Sequence, residues 1–245
     1  MIVVDAMDRI HEYGTQDKGN LEVETVFDLI SVKGDRLVPS QNLAIAHSIN
    51  DQRSEKILAL RTELMMRRKS DDDTYMLAML SPCTGEGRSQ LAAELAIAFA
   101  RLNRPTLLLD ADLRNPQQHV LFNADNNNGL SHAIESDGIP DFHSVEKLPN
   151  LAVVTAGEIP DNPLELLSSQ KFALMIEYMR DNFEYVIIDT APVTKYSDGL
   201  VIANMIRNVL TVSRAGHTPY KRMRDMLRKL SVTNSQLLGG VINHF

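Results

Sequence analysis

Ten residues, "SPCTGEGRSQ" at positions 81–90, carry the clearest chemistry in the sequence. Gly85 and Gly87 permit a tight turn and let the backbone approach an anion closely. The turn follows an apolar run and precedes a helical pattern, so backbone N–H groups at a helix N-terminus would face a phosphate. Arg88 stands where such loops usually carry lysine, and Ser89 offers a hydroxyl for Mg²⁺. The stretch predicts a phosphate-binding loop, with an ordinary strand–turn–helix as the alternative.

Three carboxylates follow apolar runs that have the length of buried strands. Asp110 and Asp112 end "TLLLDAD", and Asp189 ends "YVIID". The carboxyl ends of strands form the edge at which α/β sheets bind ligands. Mg²⁺ in such sites is held by one or two carboxylates together with phosphates, and Asp112 would orient or deprotonate an attacking hydroxyl. For any one of these residues, the alternative is a solvated aspartate at a strand end.

The elements that position these residues alternate between short apolar runs and amphipathic helices. This alternation predicts an α/β fold with a mostly parallel sheet flanked by helices. Residues 1–52 are expected to be an N-terminal extension with helical character near its end, and 53–245 a nucleotide-binding domain. The predicted strands are "MLAML", "TLLLD", "LAVVT", "YVIID", "NVLTV" and "LLGGVI", and the main predicted helices are the stretch "NDQRSEKILALRTELMMRRKS" and residues 89–103, 163–182 and 218–230.

The composition narrows the class of protein. The chain has 245 residues, a net charge of −7 and one cysteine, Cys83. An intramolecular disulfide is therefore excluded, and the acidic balance argues against nucleic acid as a partner. No uncharged window of transmembrane length and no signal-peptide pattern are visible, so we expect a cytoplasmic protein that reaches a membrane only through a partner.

Two residue types in the sequence suggest further chemistry. Cys83 lies beside the predicted phosphate site and a helix N-terminus, which suggests an acidic thiol; the alternative is a small loop residue. Of the six tyrosines, Tyr185 lies on a predicted core strand and is expected to be structural. Tyr13 and Tyr220 are the better candidates for modification.

Four segments together resemble the bacterial tyrosine kinase (BY-kinase) family, a branch of the P-loop ATPases that also contains the MinD and ParA types. The resemblance covers roughly residues 53–245. It includes Arg114, Pro116 and Phe122 in the second Walker-type segment. The segments are "LLLDADLRNPQQHVLF", "FEYVIIDTAPV", "AGEIPDNPLELLSS" and "LLGGVINHF". The loop "GEGRS" and the ending "NHF" are most similar to the subgroup associated with exopolysaccharide chain-length determinants.

The resemblance implies an ATP- and Mg²⁺-dependent protein tyrosine kinase of the P-loop NTPase type. Asp112, Asp110 and Arg88 would be catalytic, with Asp112 acting on the attacking tyrosine hydroxyl. The metal would be held by Ser89, Asp110 and Asp189. The nucleotide would contact Thr84, Gly85, Glu86, Gly87, Arg88, Ser89, Gln90 and, after the last strand, Asn243.

The resemblance also implies partners. A membrane chain-length determinant protein would activate the kinase and recruit it to the inner face of the membrane, and a homo-oligomer is compatible with the family. Two alternatives stay open. One is a nucleotide-binding regulatory module with little or no phosphoryl transfer, which Arg88 and the absence of a tyrosine-rich ending favour. The other is a MinD/ParA-like positioning ATPase, which Cys83 in place of a signature lysine disfavours.

Overall fold

The computed structural model describes residues 36–68 and 74–244. Tyr13 lies outside these ranges. The strands are β1 Tyr75–Leu80, β2 Thr106–Ala111, β3 His143–Val145, β4 Leu148–Val154, β5 Tyr185–Thr190, β6 Asn208–Arg214 and β7 Gln236–Asn243. The helices are α1 Ala44–His47, α2 Gln52–Met66, α3 Arg88–Ala100, α4 Gln118–Leu121, α5 Leu130–Glu135, α6 Pro163–Leu167, α7 Gln170–Asn182, α8 Asp198–Ile206 and α9 Tyr220–Leu230.

The seven strands form one sheet in the order β3-β4-β2-β5-β1-β6-β7. All neighbouring pairs are parallel except β3 and β4. In the register of β2 and β5, Asp110 lies opposite Asp189, so two of the predicted carboxylates end neighbouring strands. The predicted α/β fold with a mostly parallel sheet is confirmed.

The central strands are buried on both faces. Met76, Ala78 and Leu80 of β1 belong to one hydrophobic cluster, and Leu77 and Met79 belong to the other. Helices cover each face, which explains why these strands read as continuous apolar runs and do not alternate with polar residues. None of the helices within the described ranges is long and apolar enough to cross a bilayer.

All six predicted strands are present, and the differences from prediction are local. The short edge strand β3 was missed because its three residues, "HSV", carry little apolar signal. The predicted helix 163–182 is two helices, since Ser169 accepts a hydrogen bond from the Phe172 N–H and begins α7 as an N-cap. Helix α8, with Asp198 as its first residue, was not predicted.

The predicted helix before the core is α2, and it is attached to α3 by a partly buried ion pair. Asp51 caps α2 by accepting hydrogen bonds from the backbone N–H groups of Arg53 and Ser54. The Arg53 guanidinium donates three hydrogen bonds of 2.7–3.0 Å to Glu94, which is fully buried in α3. Leu43 and Ile45, before α2, are also fully buried against this layer.

The ion pair predicts a large effect of Arg53→Ala on stability. The substitution leaves the Glu94 carboxylate buried and unpaired, so we expect the free energy of unfolding to fall by about 3 kcal/mol. Urea denaturation measures this change. The double variant with Glu94→Gln removes the unpaired charge and should recover part of the loss. Wild-type stability of Arg53→Ala alone would contradict the prediction.

Candidate active site

The loop between β1 and α3 encloses a cavity at the carboxyl edge of the sheet. Gly85 and Gly87 have φ values of 74° and 79°, a conformation that favours glycine and that the predicted turn required. The cavity has a volume of about 310 Å³. Its walls are Ser81, Cys83, Thr84, Gly85, Glu86, Gly87, Arg88, Ser89, Gln90, Asp112, Asn115, Gln117 and Leu121. The predicted loop residues and Asp112 therefore lie together.

Arg88 is buried and turned toward the carboxylates. Its Nε donates to Asp189 Oδ1 at 2.6 Å, and its Nη2 donates to Asp112 Oδ2 at 2.8 Å. Its Nη1 donates to Ser81 Oγ at 2.9 Å. Burial acts to lower the pKa of the Arg88 guanidinium, but the charges of Asp189 and Asp112 outweigh it and raise that pKa. The planar fork thus joins two strand ends at once, which a single ammonium group does less well.

Asp110 lies beneath the cavity wall and organises the loop after β2. Its Oδ2 accepts hydrogen bonds from the N–H groups of Gln117 and Gln118 at 3.0 and 2.9 Å, and its Oδ1 accepts one from Asp112 at 3.1 Å. Burial, and next the charge of Asp189, raise the pKa of Asp110 to about 8 against these hydrogen bonds. Neither Asp110 nor Asp189 lines the cavity, and both are fully buried.

The raised pKa of Asp110 gives the protein a predicted pH dependence. Its pKa rises from 3.8 to about 8 on folding, so between these values the folded chain binds more protons than the unfolded chain. The free energy of unfolding therefore falls as the pH rises from about 4 to about 8. Urea unfolding across this range should show the decline, and Asp110→Asn, which cannot ionise, should flatten it. An equally steep decline in Asp110→Asn would exclude Asp110 as the cause.

Asp112 is fixed by hydrogen bonds on both oxygens. Oδ1 accepts from the N–H groups of Arg114 and Asn115 at 3.3 and 3.0 Å, while Oδ2 faces Arg88. Burial raises the pKa of Asp112 and the charge of Arg88 opposes the rise. Arg114 forms a two-point ion pair with the buried Asp198 of α8, which attaches the Asp112 loop to the segment after β5.

Glu86 and Asn243 hold the loop in place through hydrogen bonds. The Glu86 carboxylate accepts hydrogen bonds from the Cys83 N–H at 2.9 Å and from the Thr218 hydroxyl. Asn243, the last residue of β7, donates from Nδ2 to the Glu86 carbonyl at 2.7 Å and is buried. Asn243 is thus not a solvated strand end, although it does not line the cavity.

The suggestion of an acidic Cys83 thiol is wrong. Burial and the neighbouring Glu86 charge raise the pKa of Cys83, against smaller opposing effects of Thr194 and Arg222. A thiol with a raised pKa carries little thiolate at neutral pH and reacts poorly. Cys83 therefore behaves as the small loop residue that was the alternative.

Two residues in the site were missed from the sequence. Gln118 is fully buried, and its Nε2 donates to Asp189 Oδ2 at 2.9 Å and to the Ser89 carbonyl at 3.0 Å. Ser81 accepts from Arg88 and donates to the Cys83 carbonyl. A glutamine or a serine by itself does not indicate a catalytic or binding role. Gln118 lies within the segment that resembles the kinase family, which is the one signal that pointed to it.

The oxygen groups at the cavity fit Mg²⁺. The Ser89 hydroxyl and the Asp112 carboxylate both line it, and two carboxylates, Asp112 and Asp189, accept hydrogen bonds from the Arg88 guanidinium. Within residues 36–68 and 74–244, however, no group of three or more His, Cys, Asp or Glu side chains could hold a metal by itself. Mg²⁺ bound through few protein ligands and the phosphates of a nucleotide matches this arrangement.

Comparison with known proteins identifies the family. The chain is 31% identical over 191 residues to the tyrosine-protein kinase YwqD of Bacillus subtilis, which covers 78% of this chain and 80% of YwqD. This chain belongs to the bacterial tyrosine kinase family. The BY-kinase chain is also 30% identical over 204 residues to the tyrosine-protein kinase ptk of Acinetobacter johnsonii, covering 82% of this chain but 27% of that longer relative. No protein-family model matches the BY-kinase chain.

Solved structures agree with this assignment. The crystal structure of the chimerical protein CapA2B2 is 30% identical to this BY-kinase, with a TM-score of 0.78 over 91% of this chain and 98% of that one. More distant structures share the fold alone, among them a cobyrinic acid a,c-diamide synthase at 16% identity and a TM-score of 0.59. The predicted P-loop NTPase fold is confirmed.

Proposed function

We propose that this BY-kinase transfers the γ-phosphate of ATP to tyrosine in an Mg²⁺-dependent reaction that regulates exopolysaccharide polymerisation and export. One observation carries the proposal: Asp112 reaches the wall of a phosphate-loop cavity, where Arg88 and two backbone N–H groups fix it. The naming of its relatives as tyrosine-protein kinases supports tyrosine as the acceptor. The similarity of its loop and last strand to the exopolysaccharide-associated subgroup supports the cellular process.

The nucleotide would be bound mainly by the backbone of the loop. Thr84, Gly85, Glu86, Gly87, Arg88, Ser89 and Gln90 all line the cavity, and the N–H groups at the start of α3 add a favourable dipole for phosphate. Asn243 would contact the base of the nucleotide from behind the loop. Its side chain lies there because it donates a hydrogen bond to the Glu86 carbonyl. We retain Asn243 as a candidate on its position at the end of β7.

Mg²⁺ would be held by the Ser89 hydroxyl and phosphate oxygens, and Asp189 and Asp110 would act through the groups that they hold in place. When bound, the ion would neutralise charge on the phosphates that flank the transferred group. Asp189 and Asp110 are buried behind the cavity, so their contribution would pass through their hydrogen bonds to Arg88, Gln118 and the Asp112 loop. This indirect role fits the complete burial of both carboxylates better than direct ligation.

Asp112 would accept the proton of the tyrosine hydroxyl. A carboxylate with a raised pKa is a stronger base, and burial raises that of Asp112. Arg88 would move one of its hydrogen bonds from a carboxylate to phosphate oxygens when nucleotide enters, because guanidinium binds phosphate through two N–H groups. The Nη2 group is suited to this, as it lies between Asp112 and the Ser89 hydroxyl at 2.8 and 3.4 Å.

A membrane chain-length determinant protein would supply the partner that activates this kinase at the inner face of the membrane. The support is the resemblance to the exopolysaccharide-associated subgroup. Self-association of this kinase is compatible with the same resemblance.

A second function has one observation in its favour. In the structure Arg88 is turned inward onto Asp112 and Asp189, an arrangement that suits a nucleotide-gated assembly module with little phosphoryl transfer. The three intact carboxylates favour the kinase.

Transfer of labelled γ-phosphate from ATP distinguishes the two functions. The purified chain would be incubated with ATP, Mg²⁺ and a synthetic glutamate–tyrosine copolymer, alone and with the cytoplasmic segment of the candidate membrane partner. We expect label on tyrosine, and none when Mg²⁺ is removed by chelation. Tight ATP binding without label under either condition would support the assembly module and reject the kinase.

A further inference from the structure

The two glutamines at positions 117 and 118 are neighbours in the chain but lie in different environments. Gln117 is half-buried at the cavity wall, and its side chain donates a hydrogen bond to the carbonyl of the adjacent Pro116. Gln118 is fully buried, which is uncommon for glutamine. A glutamine at this depth needs partners for its amide, and both partners of its amide nitrogen belong to the candidate active site.

Gln118 connects three segments of that site. Its Nε2 donates to Asp189 Oδ2, in β5, at 2.9 Å, and to the Ser89 carbonyl, in the first turn of α3, at 3.0 Å. Its backbone N–H donates to Asp110 Oδ2 at 2.9 Å. Because Asp189 Oδ2 and the Ser89 carbonyl are both acceptors, only the NH₂ end of the amide can face them. The amide of Gln118 therefore has one orientation.

The other end of the amide indicates that this position is not selected for packing alone. Gln118 Oε1 is buried and has no hydrogen-bond partner within residues 36–68 and 74–244. A buried acceptor without a partner costs stability, so filling the space between the helices and the sheet does not explain a glutamine here. What glutamine supplies, and an apolar side chain of similar size does not, is the NH₂ group between Ser89 and Asp189.

We propose that Gln118 is a positioning residue for Mg²⁺. It would fix the backbone of Ser89 relative to Asp189, so that the Ser89 hydroxyl faces the phosphates before the ion binds. The inference rests on the proposed function, in which the Ser89 hydroxyl and phosphate oxygens hold the ion. Residues that hold metal ligands in place orient them, and losing such a residue typically lowers metal affinity by about 10–100-fold.

The neutral charge of the amide suits this role. Asp189 accepts hydrogen bonds from the Arg88 guanidinium on Oδ1 and from Gln118 on Oδ2. Arg88 lines the cavity and would turn partly toward phosphate oxygens when nucleotide enters, whereas Gln118 is not among the lining residues and would keep its contacts. Since the amide is uncharged, it holds the Asp189 carboxylate without cancelling the negative charge that attracts a divalent cation.

Binding of ATP with and without Mg²⁺ tests the proposal. Gln118→Met is close in size and removes both the N–H donors and the unpaired carbonyl oxygen. Titration calorimetry would measure the dissociation constant of ATP in excess EDTA and at a series of Mg²⁺ concentrations. Gln170→Met is the matched control, because Gln170 is an exposed glutamine at the first position of α7. Transfer of label to the glutamate–tyrosine copolymer would be measured in parallel.

We expect Gln118→Met to need about 10–100-fold more Mg²⁺ than the wild type to reach half of the gain in ATP affinity that Mg²⁺ produces. Its affinity for ATP in EDTA should match that of the wild type, because the loop backbone that would bind the phosphates keeps its sequence. Copolymer labelling by Gln118→Met should recover at high Mg²⁺. Gln170→Met should match the wild type throughout.

Two results would overturn the role of Gln118. One is a wild-type Mg²⁺ requirement in Gln118→Met. The other is an equal loss of ATP affinity with and without Mg²⁺, which would indicate a general structural role. If Mg²⁺ strengthens ATP binding as expected but the wild type labels no copolymer, the kinase function falls and the role of Gln118 stands.

A measurement on the wild type covers the case in which Gln118→Met does not fold. In NMR spectra, the NH₂ protons of Gln118 should exchange slowly with water both in the free protein and in the complex with ATP and Mg²⁺. The NH₂ protons of the exposed Gln170 should exchange fast in both. Fast exchange of the Gln118 NH₂ protons in the complex would show that its contacts are broken there, and the proposal would be wrong.

Discussion

Arg88→Ala is expected to lower the free energy of unfolding by about 3–5 kcal/mol and to weaken ATP binding. The substitution leaves Asp189 and Asp112 buried without the guanidinium that now donates to both. It also removes the donor to Ser81 Oγ and the cation beside the phosphate site. Urea denaturation measures the stability, and titration calorimetry with ATP and Mg²⁺ measures the binding.

Arg104→Ala is the matched control for Arg88→Ala. Arg104 is 62% exposed and pairs with a partly exposed Glu184, so its removal should cost about 0–1 kcal/mol. Arg88→Lys separates charge from geometry, since lysine keeps the cation but bridges the two carboxylates poorly. We expect its stability and ATP affinity to lie between those of wild type and Arg88→Ala. Wild-type stability and affinity in Arg88→Ala would contradict this role for Arg88.

Asp112→Asn is expected to slow transfer of phosphate to tyrosine by about 10²–10⁴-fold, the range typical of losing a general base. ATP binding should change much less than the rate, because the single amide oxygen can still accept the two backbone hydrogen bonds that hold this side chain, and only the hydrogen bond from Arg88 is lost. Single-turnover rates measured beside ATP dissociation constants separate the two effects. Asp125→Asn, in an exposed loop, is the control and should match wild type in both. A rate unchanged in Asp112→Asn would remove Asp112 from the chemistry.

The sequence identified the fold because its signals are local. Each central strand is a short apolar run, as in "YVIID". Such a strand can be predicted from its own residues without knowing which strand it pairs with. Asp110 and Asp189 were expected to lie close together because the carboxyl ends of parallel strands meet at one edge of the sheet. The register of β2 and β5 places them opposite each other. The short strand β3 escaped because its pairing with β4, and not its own residues, makes it a strand.

The parts of the site that could not be predicted depend on contacts between distant segments. The Thr218 hydroxyl donates a hydrogen bond to the Glu86 carboxylate, and Asn243 donates one to the Glu86 carbonyl. Each contact joins residues more than a hundred positions apart in the chain. Gln118 reaches Asp189 across 71 residues. The Cys83 suggestion failed because the helix N-terminus was visible in the sequence while the desolvation and the nearby Glu86 charge were not.

We expect a phosphate loop with arginine at position 88 to support phosphoryl transfer to tyrosine. The most direct measurement is the single-turnover rate at which the wild-type chain, saturated with labelled ATP and Mg²⁺, forms phosphotyrosine. We expect a rate well above that of Asp112→Asn under identical conditions. Equal rates in the two proteins, with ATP bound to both, would contradict it.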